Sequence, residues 1–252
     1  KSFMKCIVGW NDILGFQTVL ENKDVSYLRE HVVSRLEDLR KDRVRESLKT
    51  LTPHEDVQKH LDAVRTCVIS DTIAVVCPMA DPAWASWLAF LTCSATLHME
   101  MFDAGLPLRG AITVGDIIFD DWCVLGRPVV AAHKACERLH VSACRLLPDA
   151  VDSIQMAFSA ENRGSLRKGP PVAWYNLATD SEGKERTPQL MQLFSQAFLL
   201  APDKKNLAEY VAQRFAAHGK SVNSPKTRQK MDNTIAFLQW NRWHIEKINV
   251  AH

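Results

Sequence analysis

The sequence predicts an α+β fold: a sheet of mixed and antiparallel strands with packed helices, followed by a helical C-terminal extension. Three observations predict it. Short apolar runs rich in β-branched residues come in close pairs. Residues 66–69 pair with 73–77 around Ser70-Asp71-Thr72, and residues 108–114 pair with 117–119 around Gly115-Asp116. Such pairs read as hairpins and argue against an all-parallel, doubly wound sheet. Between them lie segments with apolar residues at helical spacing, and from Thr187 onward the pattern turns helical.

Taken in order, residues 3–10 read as a buried strand, 13–15 as a turn, and 17–49 as a long charged helix that Pro53 ends before a further helical stretch to about Val64. Residues 82–102 carry Trp84, Leu88, Leu91, Leu97 and Met101 at helical spacing, with Gly105 where a stop is expected. Gly126 and Pro128 open a helix over 129–140. Residues 162–171 form a basic Gly/Pro-rich loop and 172–177 one more strand. Ala201-Pro202 and Ser224-Pro225 punctuate the helical remainder. The expected division is a body over 1–177, its helices packed on one face of the sheet, and an extension over 178–252.

Composition bounds the function. With 252 residues, 46% hydrophobic and 24% charged, the chain builds its own core and is not a disordered type. A formal net charge of +2 is too small for a protein that coats nucleic acid, but leaves room for a local anion site. No apolar run reaches the ~20 residues a membrane helix needs. The seven cysteines are scattered with no CxxC pair, and the start lacks the apolar stretch of a secretory signal. A cytoplasmic, reducing setting is expected.

Two acids stand out. Asp12 ends the first apolar strand in Trp10-Asn11-Asp12-Ile13-Leu14-Gly15-Phe16, and Asp71 lies between the apolar runs of the first hairpin. Singly, each fits an ordinary N-cap or turn role. A carboxylate beside a core strand is costly to desolvate without a partner. Two brought together repel unless a divalent cation neutralises them, and Mg²⁺ and Mn²⁺ favour such oxygen ligands together with substrate phosphates. The turn after Asp12, with Gly15, leads into a helix whose N–H groups can face a phosphate.

Four segments, in order, resemble the class III nucleotide cyclases. Residues 10–16 look like the first-strand Asp-Ile-x-Gly-Phe motif, and 70–75 like the second metal-aspartate hairpin. Leu108-Arg109-Gly110-Ala111-Ile112-Thr113-Val114-Gly115 is similar to the Arg-containing strand. Leu125-Gly126-Arg127-Pro128 resembles the Gly-led helix start. The Asp-Ile-Leu-Gly-Phe form and the Leu-Gly-x-Pro start look most like the bacterial Pycsar-type pyrimidine cyclases, antiphage enzymes whose cyclic UMP or cyclic CMP activates an effector protein.

The resemblance, which spans roughly residues 3–177, implies a role for each matched residue. Asp12, Asp71 and the Ile13 carbonyl are the metal ligands for two Mn²⁺ or Mg²⁺ ions per site. Leu14, Gly15 and Phe16 are the phosphate-cradling turn, with Gln17 in place of the usual Thr. Arg109 contacts the triphosphate, a task its fixed charge and planar fork suit. Family members usually place Asn and Arg on the helix after the Gly motif, and Val130 and Lys134 occupy those positions here. Lys134 is the remaining source of positive charge there. The base-reading positions fall near Cys67 and Cys123, with Thr66 beside them, and small uncharged groups suit a pyrimidine. The expected activity converts UTP, ahead of CTP, to its 3′,5′-cyclic monophosphate and pyrophosphate in a homodimer, for a downstream effector. The loss of the Asn/Arg pair favours an alternative, a catalytically silent nucleotide-binding domain. A haloacid-dehalogenase-like phosphatase is disfavoured because Leu14 stands where a second acid is needed. His133 and His140, seven apart on one helix face, read as ordinary helix-surface or packing residues, and Trp84, Trp87, Trp240 and Trp243 as core or subunit packing.

Overall fold

The structure is a computed structural model that describes residues 4–40, 55–120, 123–159, 171–176 and 189–250. Strand β1 (Met4–Ile13) lies near the middle of the sheet, where its Cys6, Ile7 and Val8 are fully buried. It pairs antiparallel with β3 (Thr72–Pro78) on one side and β4 (Leu108–Asp120) on the other. Strand β2 (Arg65–Ile69) forms the outer arm of a hairpin with β3, as expected from the sequence. The turn between them holds Ser70 at a positive φ of 58°.

Beyond β4 the sheet continues through β6 (Cys144–Leu146), β8 (Gln189–Gln192) and β7 (Val172–Tyr175), while β5 (Cys123–Leu125) pairs back on the end of β4. The β4–β6 pair is parallel, so the chain must cross over between them. The crossover is α6 (Arg127–Glu137). Strand β8 follows residue 177 and joins the same sheet, so the helical pattern expected from Thr187 onward begins only after it.

The remaining helices are α1 (Phe16–Asn22), α2 (Val25–Leu28), a π-helical turn (Arg29–Val33), α3 (Ser34–Arg40), α4 (Glu55–Leu61), α5 (Ala83–Asp103), α7 (Pro148–Ala157), α8 (Gln196–Leu199), α9 (Leu207–Ala216) and α10 (Pro225–Val250). The single helix expected over 17–49 is interrupted at Lys23-Asp24. There Lys23 turns extended, and the Asp24 side chain accepts from the Tyr27 N–H to cap the next helix. Residues 41–49 and most of the expected basic loop lie outside the described residues.

Helices cover both faces of the sheet rather than one. On one face α4, α5 and α7 pack with Ile7, Ile73, Val75, Cys77 and Ile112. The ring of Phe90 lies so close that a Cβ on Gly9 would meet its Cζ at 3.0 Å. On the other face Val129, Ala132, Ala135 and Cys136 of α6 cover Val8, Trp10, Ala111 and Ile117. The cause is legible in β1, whose consecutive Cys6, Ile7 and Val8 are apolar toward both sides. Fully buried Trp87 and Phe90 each contribute roughly 1.5–3 kcal/mol or more of transfer free energy.

The second expected hairpin forms differently. Strand β4 runs unbroken through Gly115 and Asp116, because β1 pairs with both, at Cys6 and Lys5. The reversal comes later, between β4 and β5. Gly115 serves packing instead: a Cβ there would meet Pro128 Cγ at 2.7 Å.

A second core joins the C-terminal helices to the body. Phe102 at the end of α5 stacks with Tyr210 of α9 and meets Phe194, Phe198 and Phe215 edge-on. Phe237 and Leu238 of α10 are fully buried in the same cluster. Arg242 ties α10 to the carbonyls of Leu199 and Lys204 at 2.6 and 2.7 Å. No helix of the described residues is long and apolar enough to cross a membrane.

Candidate active site

The ends of β1 and β4 meet the β2–β3 turn at one edge of the sheet. Antiparallel register puts Asp12 directly opposite Thr72 on one side and Arg109 on the other. Two main-chain bonds close this corner: the Ile13 N–H donates to the Asp71 carbonyl at 3.0 Å, and the Leu14 N–H to the Pro107 carbonyl at 2.9 Å. Neighbours on a strand point to opposite faces, so Asn11 and Asp12 diverge.

Asn11 is fully buried and acts as an anchor. Its Nδ2 donates to the Ile73 carbonyl at 3.0 Å, and its Oδ1 accepts from His98 Nε2 of α5 at 2.9 Å. Because Oδ1 can only accept, Nε2 carries the proton, and His98 Nδ1 is left buried with no hydrogen-bond partner among the described residues. Burial pushes the imidazole down to about 3, so His98 is neutral. This pair holds β1 against β3 and α5 from the side opposite Asp12.

Asp12 points to the opposite face, where Arg109 holds it. Arg109 donates from Nε at 2.8 Å and from Nη2 at 2.6 Å, both to Oδ2 of Asp12. Its Nη1 donates to the Glu137 carbonyl at the end of α6, at 2.8 Å. The Arg109 and Asp12 side chains are 16% and 20% exposed. The Asp12 carboxyl is held above the usual carboxylate range. Burial is the main cause; Arg109 opposes it, and Asp71 adds to it through like charge and a hydrogen bond between the two carboxyls. The two acids that the sequence singles out therefore meet, with Arg109 on one of them.

A carboxyl pair in this state fits divalent cations. The charge of Asp71 disfavours the ionised form of Asp12, and a hard cation would remove that cost. The donor set is two carboxylates with the main chain of Ile13 adjoining. Among the described residues no group of three or more His, Cys, Asp or Glu side chains surrounds a metal position. A cation held by two carboxylates would have to complete its shell from water or a bound anion rather than from a protein cage.

The turn beside the acids is built on Gly15, whose φ of 75° lies in the left-handed region. Leu14 is buried, and Phe16 is half-buried against the main core. Lys220, from the C-terminal part of the chain, lies across Gly15. A Cβ there would meet its Cδ at 3.1 Å, and its Nζ donates to the Gly105 carbonyl at 2.6 Å. Burial pulls the Lys220 ammonium down to about 8.

Phe16 also lines a cavity of about 470 Å³, together with Leu20, Val33, Thr66, Cys67 and Ser70. Thr66 and Cys67 of β2 are thus brought to the same space as the turn. Cys123 is not: it stands half-buried on β5, opposite Asp120, and does not line this cavity. Lys134 is exposed on α6 and makes no hydrogen bond or ion pair with Asp12, Asp71 or Arg109. Val130 on that helix is 53% exposed.

Sequence reasoning missed Asn11, His98, Lys220 and Lys230. Asn11 and His98 carry no motif. Lys230 of α10 is near enough to Arg109, Lys226 and Asp12 for all three to act on it electrostatically. Its only signal was a lysine on a charged helix.

No family model matches the chain, and no curated protein matches it. Among solved structures it is similar to the catalytic core of a rhodopsin-guanylyl cyclase with converted specificity, at 12% identity over 76% of this chain and 97% of that one, with a TM-score of 0.49. The monomeric guanylyl cyclase domain of a fusion protein from the aquatic fungus Blastocladiella emersonii matches at 11% identity over 77% and 97%, also with a TM-score of 0.49. An adenylate/guanylate cyclase/hydrolase from Silicibacter pomeroyi matches at 14% over 77% and 98%, with a TM-score of 0.43. At these values they are likenesses of chain trace, and the assignment of the site rests on the geometry above.

Proposed function

We propose that this chain is a nucleotide cyclase of the class III kind, acting on a pyrimidine nucleoside triphosphate, UTP ahead of CTP. The observation that carries this reading is the meeting of Asp12 and Asp71 beside Arg109, at the mouth of the Leu14-Gly15-Phe16 turn. Three features that resemble one family's motifs, far apart in sequence, share one corner of the fold.

In the proposed reaction the ribose 3′-oxygen bonds to the α-phosphorus, and the bond from that phosphorus to the oxygen bridging to the β-phosphate breaks. Pyrophosphate leaves with the bonding pair, and the hydroxyl proton passes to solvent water. Bound Mn²⁺ or Mg²⁺ supplies a lowered hydroxyl pKa and neutralises phosphate charge. Asp12, Asp71 and the Ile13 carbonyl are the residues to hold two such ions. Arg109 exchanges its hold on Asp12 for the triphosphate, and the Gly15 turn holds the phosphates at the end of β1. The work of the protein is positioning and charge neutralisation.

Thr66 and Cys67, with Phe16, are proposed to contact the pyrimidine; Cys123, which lies away from their cavity, is not part of that contact. Lys134 is proposed to reach the developing phosphate charge from a second copy of the chain. This agrees with its exposure on α6 and with the exposed apolar Val130 and Leu125 nearby. The cyclic nucleotide is proposed to signal to an antiphage effector protein.

The test is to mix the protein with each of the four ribonucleoside triphosphates and Mn²⁺ and separate the products. Cyclic UMP or cyclic CMP with equimolar pyrophosphate is expected, abolished in Asp12→Ala and Asp71→Ala. No cyclic product from any triphosphate overturns the reading and favours a silent nucleotide-binding domain.

A further inference from the structure

The C-terminal helix α10 reaches the acidic corner through a short chain of bonds. The Ser142 N–H donates to Thr234 Oγ1 at 2.9 Å, and the Ser142 hydroxyl donates to the Leu108 carbonyl at 2.8 Å, immediately before Arg109. Asn233 Nδ2 donates to the His140 carbonyl at 2.9 Å, so two adjacent residues of α10 are fastened to the same loop. Thr234 Oγ1 in turn donates to the Lys230 carbonyl at 2.7 Å.

Lys226, Lys230 and Thr234 recur at four-residue spacing and share one face of α10. That face passes from solvent at Lys226, through half-burial at Lys230, to full burial at Thr234. Lys230 lies one turn, about 6 Å, before the residue docked on the loop next to Arg109. Among the described residues, its ammonium has no hydrogen bond or ion pair. It is nonetheless pressed by the positive charges of Arg109 and Lys226 and drawn by Asp12. Three cations converge here, and Asp12 is already held by Arg109.

We infer that Lys230, with Lys226 at its outer side, is a polyphosphate-contacting residue of the active site. Together with Arg109 it forms a cationic seat for the β- and γ-phosphates, and hence for departing pyrophosphate. The assignment rests on the reading of the Asp12–Asp71 corner as a triphosphate site. The extension beyond residue 177 then takes part in substrate binding. Lys230 acts on the phosphates held at Asp12 of its own chain. Burial and the neighbouring cations pull its ammonium down to about 8, and a bound phosphate relieves the repulsion.

The experiment is titration of the full chain with inorganic triphosphate in the presence of Mn²⁺, which needs no turnover. Lys230→Met is expected to weaken binding roughly ten- to a hundredfold, the scale of a lost charge-assisted hydrogen bond. Lys230→Arg is expected to keep it, and Lys226→Met to weaken it less. Ligand-free thermal unfolding monitors folding of each variant, with Lys230→Gln replacing Lys230→Met if the latter does not fold. Unchanged affinity in the variant, or no binding of inorganic triphosphate by the wild-type chain, overturns the inference. Failure of the cyclase reading shows separately, as a wild-type chain that binds inorganic triphosphate through Lys230 yet forms no cyclic product from any nucleotide.

Discussion

Arg109 grips Asp12 through a single oxygen: Nε and Nη2 both donate to Oδ2, at 2.8 and 2.6 Å. A cation on this carboxylate would therefore have to share it with the guanidinium, displacing it from Oδ2 or binding beside its positive charge at Oδ1. Replacing Arg109 by Gln is expected to tighten Mn²⁺ binding several-fold while raising the KM for triphosphate. Calorimetric titration with Mn²⁺ checks the first half and steady-state kinetics the second. Weaker Mn²⁺ binding in the variant would show that Arg109 organises Asp12 rather than competing for it.

Gly110 has a packing reason that its motif does not reveal. A Cβ there would collide with Asn11 Oδ1 and press on Cys144 Sγ at 3.0 Å. Gly110→Ala is expected to destabilise by about 1–3 kcal/mol, the scale of overpacking in a core. Adding Asn11→Ala removes the main obstacle, so the double variant should lose less than the sum of the singles. Urea unfolding of the four proteins gives the coupling, and strict additivity would refute the clash.

His98 makes stability depend on pH with a definite sign. Its native pKa is depressed to about 3, while the unfolded imidazole titrates near 6.5. As pH falls the unfolded chain takes up the proton first. Stability present above pH 6.5 is thus lost progressively toward pH 3, by at most about 1.4 kcal/mol per pH unit. His98→Gln removes this component. Urea midpoints at pH 7.5 and 5.5 should separate by less in the variant than in the wild-type chain, and equal separations would rule out a buried neutral His98.

Gly15 is constrained twice, by its left-handed backbone and by Lys220 across it. Gly15→Ala is expected to cost about 1–2 kcal/mol for the backbone alone. Combining it with Lys220→Ala should recover only the steric part. If Gly15→Ala has wild-type stability by thermal unfolding, the left-handed turn is wrong.

Much of this corner was legible in the sequence because it is made of strand ends. The apolar runs before Asp12 and on both sides of Asp71 announced β1 and the β2–β3 hairpin. The order of motifs announced that they converge. Gly115-Asp116 misled because glycine marks turns and close packing alike, and only the partner strand and Pro128 decide which. The crossing of Lys220 over Gly15 and the approach of Lys230 to Arg109 left no local trace. A lysine on a polar helix reads as solvated until tertiary contacts place it.

Thr234 sets a lower limit on how far the chain can be trimmed. A fragment ending before it strips the buried Ser142 amide of its acceptor and leaves the segment leading into β6 without its brace. The smallest unit worth expressing therefore extends well into the last helix, and deletion series that stop at the sheet will report a damaged scaffold rather than a dispensable tail.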